Sequence, residues 1–200
     1  MCIIAAKPKF SPMPSDETLW RMWDANPGGA GFMYARDGKV RIEKGFMNFL
    51  DLMCALEEIE DPENRAVVLH LRRMKRKEAR LCHPFPLDAP EDMTALSLDT
   101  LAGVVQNGII RTEKRPFDET RNIAYTRRVL TPMYERHQFF MDAPDVRDLL
   151  WKSTDCRMAF LDHRGLIRLV GPFACENGVY YSNDTYTDRT TDKERSEQNG

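Results

Sequence analysis

No apolar run in this 200-residue chain approaches the roughly 20 residues of a membrane-spanning helix, and MCIIAAKPKF lacks the basic stretch that opens a secretory signal. The sequence therefore predicts a cytoplasmic protein, neither membrane-bound nor exported. No C-x-x-C pair is present. The five cysteines (Cys2, Cys54, Cys82, Cys156, Cys175) are odd in number and scattered, which argues against a disulfide framework and a structural zinc site. Neither a metal nor a cofactor is expected. Charge of neither sign dominates: 29 basic residues face 31 acidic ones, for a net charge of -2. The overall field does not gather nucleic acid or anionic lipid, although local patches remain open. No internal repeat and no linker rich in Pro, Gly or Ser divides the chain. One domain over 2–186 is expected, and its 42% hydrophobic content is enough for a sizeable core. From Thr187 onward TDRTTDKERSEQNG holds no apolar residue, so 187–200 is expected to be a disordered polar tail.

What is there reads as mixed secondary structure. CIIAA is a buried strand, and Ser15 caps a helix carrying Leu19, Trp20, Met22 and Trp23. Segments 31–34 and 40–42 form a hairpin around Asp37-Gly38. Asn48 caps a second helix with Leu52, Met53, Leu56 and Ile59 at helical spacing. Residues 66–71 read as a strand covered on both faces, and further strands are placed at 94–97 and 101–105. A helical pattern after Asp118 meets Pro132, which should end or kink it, and Asp142 with Pro144 opens another helix. Three short strands at 158–161, 166–170 and 179–181 follow. Helices and strands do not alternate strictly, so the fold class is α+β.

Three features carry chemistry. Removal of Met1 would give Cys2 a thiol and a free α-amine, and an α-amine titrating near pH 8 can serve as that thiol's own base. Asn107-Gly108 follows a strand and offers a carboxamide N–H beside an unhindered backbone N–H, the equipment of an oxyanion hole. Arg72 ends the strand at 66–71, where its guanidinium suits a substrate carboxylate. Taken singly, each has a plainer reading: a small residue in a buried strand, a turn, a solvated charge at a strand end.

Their order and wording are more specific. MCIIAA, NPGGAGF at 26–32, HLR at 70–72, CHPFPL at 82–87, QNGII at 106–110 and YYSNDTY at 180–186 together resemble the class II glutamine amidotransferase domain. The likeness is to its compact stand-alone versions, often found in bacteriophages and bacteria. The resemblance implies a four-layer αββα sandwich of the N-terminal-nucleophile hydrolases. It places the nucleophile on Cys2, the substrate-carboxylate arginine on Arg72, and the oxyanion-hole pair on Asn107 and Gly108. The substrate would be a small amide, and a separate partner enzyme would accept the ammonia.

The sequence also departs from the family. The pocket-lining stretch after the arginine, usually like I-A-T-H-G, is here RMKRKEAR at 73–80, and the His before Asn-Gly is Gln106. The aspartate that holds the substrate ammonium is represented at best by Glu119. Arg73, Lys75, Arg76, Lys77 and Arg80 make the altered loop basic. Such a run is usually a solvated face; the alternative is a contact for an acidic protein or a phosphate-bearing partner. His83 reads as structural. The rival to an enzyme is a degraded relative that binds or inhibits a partner through loop 72–80.

Overall fold

In the computed structural model, which describes residues 1–73, 78–111 and 119–187, the chain is α+β. Strand β1 (Ile3–Lys7) is buried along its whole length. Helix α1 (Asp16–Ala25) starts where the Ser15 hydroxyl accepts the Thr18 N–H, meeting one of the donors that a helix start leaves unsatisfied. Strands β2 (Ala30–Arg36) and β3 (Lys39–Phe46) pair around Asp37 and Gly38, whose φ angles of 49° and 71° match the twist of a hairpin. Asn48 caps α2 (Phe49–Glu57) by accepting the Asp51 N–H at 2.8 Å. Then come β4 (Val67–Leu71), β5 (Phe85–Pro86), β6 (Ser97–Thr100) and β7 (Ala102–Asn107). Helices α3 (Arg121–Tyr125), α4 (Thr131–Arg136) and α5 (Pro144–Thr154) precede β8 (Arg157–Asp162), β9 (Ile167–Val170), β10 (Ala174–Glu176) and β11 (Val179–Tyr181).

Two antiparallel sheets result. The larger runs β10-β11-β1-β4-β2-β3-β6 and the smaller β5-β7-β8-β9. Side chains alternate across each strand and divide the core. Ile3, Ala5, Leu69 and Leu71 pack against Leu19, Met22, Leu52 and Leu56 of α1 and α2. Ile4, Ala6 and Val68 meet Val105, Ala159 and Leu161 of the second sheet. That sheet's other face, with Val104, Met158 and Phe160, packs on Ile123, Leu130, Tyr134 and Leu150. Each such aliphatic side chain contributes roughly 1.5–3 kcal/mol on burial, so both faces of both sheets are fixed by the sequence pattern. β1 pairs with β4 in the register Ile3↔Leu71 and Ile4↔His70, which brings Cys2 to the Arg72 end of β4.

Several boundaries differ from the sequence expectations. The strand expected at 94–97 lies at Ser97–Thr100, and β5 and β10 are too short to leave a periodic signature. Pro132 does not end its helix. A π-helical turn at Thr126–Leu130 joins α3 to α4, and the widened spacing lets the chain continue past a residue with no N–H. Asp142 precedes α5 in a short 3-10 turn, where its carboxylate pairs with Arg164 and Arg168 instead of starting the helix. Of the expected tail, Thr187 alone is described, its N–H donating to the Asp184 carbonyl at 3.0 Å; residues 188–200 lie outside the described residues. No helix among the described residues is long and apolar enough to cross a membrane.

Candidate active site

A cavity of about 380 Å3 opens where β1, β4 and β7 end together. Cys2, Arg72, Asn107 and Gly108 all line it. Its mouth carries exposed Met1, Arg73, Ile109 and Arg121, and its wall buried His70, His83, Gln106 and Leu81.

Cys2 is held from two sides. The Asn183 side-chain amide donates to the Cys2 carbonyl at 2.7 Å, and the Arg73 N–H donates to the Cys2 sulfur at 3.4 Å. Ser182 ties β1 and Asn107 together: its hydroxyl oxygen accepts the Ile4 N–H at 2.9 Å and one Asn107 Nδ2 N–H at 2.9 Å. A carboxamide has two N–H donors, so one on Asn107 remains for a ligand. Gly108 cannot carry a side chain, because a Cβ there would lie 2.9 Å from the Cys156 sulfur and 3.1 Å from its Cα. Burial pushes the Cys156 thiol up to about 12, with Cys2 adding to the shift, so this second cysteine sits protonated behind the glycine.

The turn after α1 places Arg72. Gly28 donates its N–H to the Arg72 carbonyl at 2.7 Å, and the Arg72 N–H returns to the Gly29 carbonyl at 2.8 Å. Gly29 has φ 109°, and a Cβ on it would stand 2.8 Å from the Cys82 sulfur. NPGGAGF is therefore the clasp on Arg72. The Arg72 side chain is 2% exposed and donates to the Glu78 carbonyl at 3.4 Å. Burial raises the Cys82 thiol, against which Arg72 and then Lys44 pull downward.

The other expected site residues scatter. Glu119, expected at a substrate ammonium, is ion-paired with Arg127 and is not among the described residues that line the cavity. Arg80 pairs with Glu78 at 3.4 Å, also outside the cavity lining, and of the two described residues of the basic run Arg73 reaches the mouth. Lys75, Arg76 and Lys77 lie outside the described residues.

Ser182, Asn183 and His70 were not among the expected site residues. The first two are a Ser-Asn pair directly after β11, within YYSNDTY, with no local pattern to mark them. His70 hid as the one polar residue in an apolar strand; its ring lies 4.3 Å from that of His83, which in turn lies 4.3 Å from Phe85. Burial, then the Arg72 charge, lowers His70 to about 3. Burial lowers His83 well below its ordinary range, helped by His70 and the charges of Lys44 and Arg72. Both rings are neutral at pH 7. Lys44 is buried beside them, donating to the carbonyls of Pro84 at 3.0 Å and Met93 at 2.6 Å, and burial lowers it to about 7.

The chain matches no family model and no curated protein. The cavity brings together one thiol, a carboxamide, a glycine backbone and a basic mouth. Among the described residues, no group of three or more His, Cys, Asp or Glu side chains is placed to hold a metal ion.

Proposed function

We propose that the protein is an N-terminal-cysteine amidohydrolase of the class II glutamine amidotransferase type, on the four-layer αββα sandwich of the N-terminal-nucleophile hydrolases. One observation carries the reading: Cys2, Arg72, Asn107 and Gly108, far apart in sequence, line one cavity. The division of the core supports the scaffold, with helices on the outer face of each sheet and an apolar layer between the sheets.

In the proposed reaction the Cys2 sulfur attacks the carbon of a side-chain amide and its proton passes to the Cys2 α-amine. The free Asn107 N–H and the Gly108 N–H hold the developing oxyanion, while Arg72 grips a substrate carboxylate. The amine returns the proton to the departing nitrogen and ammonia leaves. Water then cleaves the Cys2 thioester, giving the carboxylate product. With a partner enzyme the ammonia is passed on; without one the reaction is plain hydrolysis. Met1, which lines the cavity and is 63% exposed, must first be removed, since while it is attached the Cys2 nitrogen is a peptide N–H and no base.

The test is ammonia release from small amides by chain whose intact mass shows Met1 removed. Cys2→Ser should lower turnover by at least roughly a thousandfold with the fold retained. Equal activity from chain retaining Met1 would sink the mechanism. One observation favours the rival, a degraded relative that binds an acidic or phosphate-bearing partner through loop 72–80: Glu119 is engaged with Arg127 rather than standing at the cavity. That reading expects no turnover from processed protein, and binding of an acidic partner that weakens with salt.

A further inference from the structure

The cavity wall holds more polar atoms than the protein satisfies. Both ring nitrogens of His70, both of His83 and Oε1 of Gln106 are buried without a hydrogen-bond partner among the described residues. The three residues are 0%, 6% and 1% exposed, and all line the cavity. Buried polar groups are rarely left unpaired in a protein interior, so a cluster of five on one wall asks for a ligand.

The orientation of Gln106 is settled by its neighbours. The Thr126 hydroxyl donates to the Asn122 carbonyl at 2.9 Å, so its oxygen is left to accept from Gln106 Nε2 at 3.2 Å. Oε1 is then the free end of the amide. The His70 ring lies toward two backbone carbonyls, its own and that of Gln106, and the His83 ring toward the Gln106 side chain, contacts that raise their proton affinity without reaching hydrogen-bond geometry. A neutral imidazole has one N–H and one bare nitrogen, and a carboxamide oxygen has two lone pairs. The single N–H of each ring is drawn toward these oxygens, Oε1 of Gln106 keeps a lone pair for a ligand, and the other nitrogen of each ring has no donor among the described residues.

A wall of acceptors selects for a donor. A carboxylate brings none. A cation is opposed by the charges of Arg72 and Lys44, which already disfavour protonation of these rings. An uncharged group with two N–H bonds is the complement. We propose that His70, His83 and Gln106 form a recognition subsite for the NH2 of a primary carboxamide, which admits an amide substrate and rejects its carboxylate product. The inference rests on the amidohydrolase reading for its substrate, but the subsite is testable without turnover.

The test compares glutaramate, the monoamide of glutaric acid, with glutarate, binding to full-length Cys2→Ala protein by calorimetry. Glutaramate should bind at least about tenfold more tightly, and Gln106→Met and His83→Phe should each bring the ratio to within about twofold. In protein with 15N-labelled histidine and no other change, glutaramate should shift the ring nitrogens and glutarate should not, a readout independent of whether the variants fold. Equal binding, no binding of either, or unmoved ring signals would overturn the subsite and leave water as the occupant. Amide preference without ammonia release from glutaramate by the processed native chain would keep the subsite and remove the hydrolase. Ammonia release with glutarate bound as tightly as glutaramate would do the reverse.

Discussion

Ser182 is the residue on which most of the site geometry converges, because one hydroxyl oxygen receives both the backbone of β1 and the side chain of Asn107. Ser182→Ala should leave the Ile4 N–H buried and unpaired, costing about 1–3 kcal/mol in a urea titration. It should also let the Asn107 amide turn, lowering kcat for amide hydrolysis about 10–100-fold with little change in KM, since the lost contact matters once the oxyanion forms. A KM effect alone would mean that Asn107 binds substrate rather than the transition state. At this scale the sequence was legible where chemistry requires a particular residue type: a thiol, a guanidinium, an Asn-Gly pair. It was not legible where the role depends on a partner distant in sequence. Nothing local to Glu119 shows that Arg127 claims it, and nothing local to Ser182 points to Asn107.

At Gly31 in β2 the backbone runs close against two neighbouring segments. A Cβ there would lie 2.3 Å from the His83 carbonyl oxygen and 2.5 Å from the Lys44 Cβ, so the β2 backbone is the bed on which the CHPFPL segment rests. Gly31→Ala should cost about 3 kcal/mol, the upper end for overpacking, and should disturb His83. Gly38 is the contrast: its φ is 71° but nothing lies within 4 Å, so Gly38→Asn, which tolerates that backbone, should stay within about 0.5 kcal/mol by the same titration. Lys7 makes a third element-scale prediction. Its ammonium, fully buried, donates to the carbonyls of Pro62, Glu63 and Arg65, at 2.5, 3.3 and 2.7 Å, closing the turn that feeds β4. Lys7→Met should destabilise by about 2–4 kcal/mol by stranding those acceptors. The caps at Ser15 and Asn48 and the Asp37-Gly38 turn could be read directly from sequence because each is complete within four residues. β5, β10 and the π-helical turn could not, because pairing and packing from elsewhere define them.

For the whole molecule, the buried bases set how stability follows pH. His70, lowered from 6.5 to about 3, and His83, lowered further than its ordinary range, stay neutral in the fold while the unfolded chain takes up protons below about pH 6.5. Stability from these groups is complete above pH 6.5 and is lost as pH falls below it, for His70 at about 1.4 kcal/mol per pH unit down to about 3. Lys44 acts higher: lowered to about 7 against 10.5 in the unfolded chain, it makes stability rise between pH 7 and 10.5. The urea midpoint should therefore increase from pH 5 to 7 and again to 9. His83→Phe should flatten the lower part and Lys44→Met the upper. A midpoint that falls between pH 7 and 9 would show that Lys44 keeps its proton in the fold. The α+β class could be read from composition and spacing, whereas the strand order could not, since no local pattern says that β1 lies between β4 and β11.

That placement has a consequence for biosynthesis. β1 is made first, yet one neighbour begins at Val67 and the other at Val179, and the Ile4 to Ser182 bond spans 178 residues. At about 5–20 residues per second, the ribosome needs roughly 10–35 s to deliver β11 after β1. Throughout that interval the segment bearing Cys2 has no completed sheet to enter and stays within reach of enzymes that trim nascent chains. Closure of the last strand assembles the clamp in one event. A chain truncated before Val179 would lack Ser182 and Asn183, leaving the Ile4 N–H and the Cys2 carbonyl without the partners that fix this end of β1.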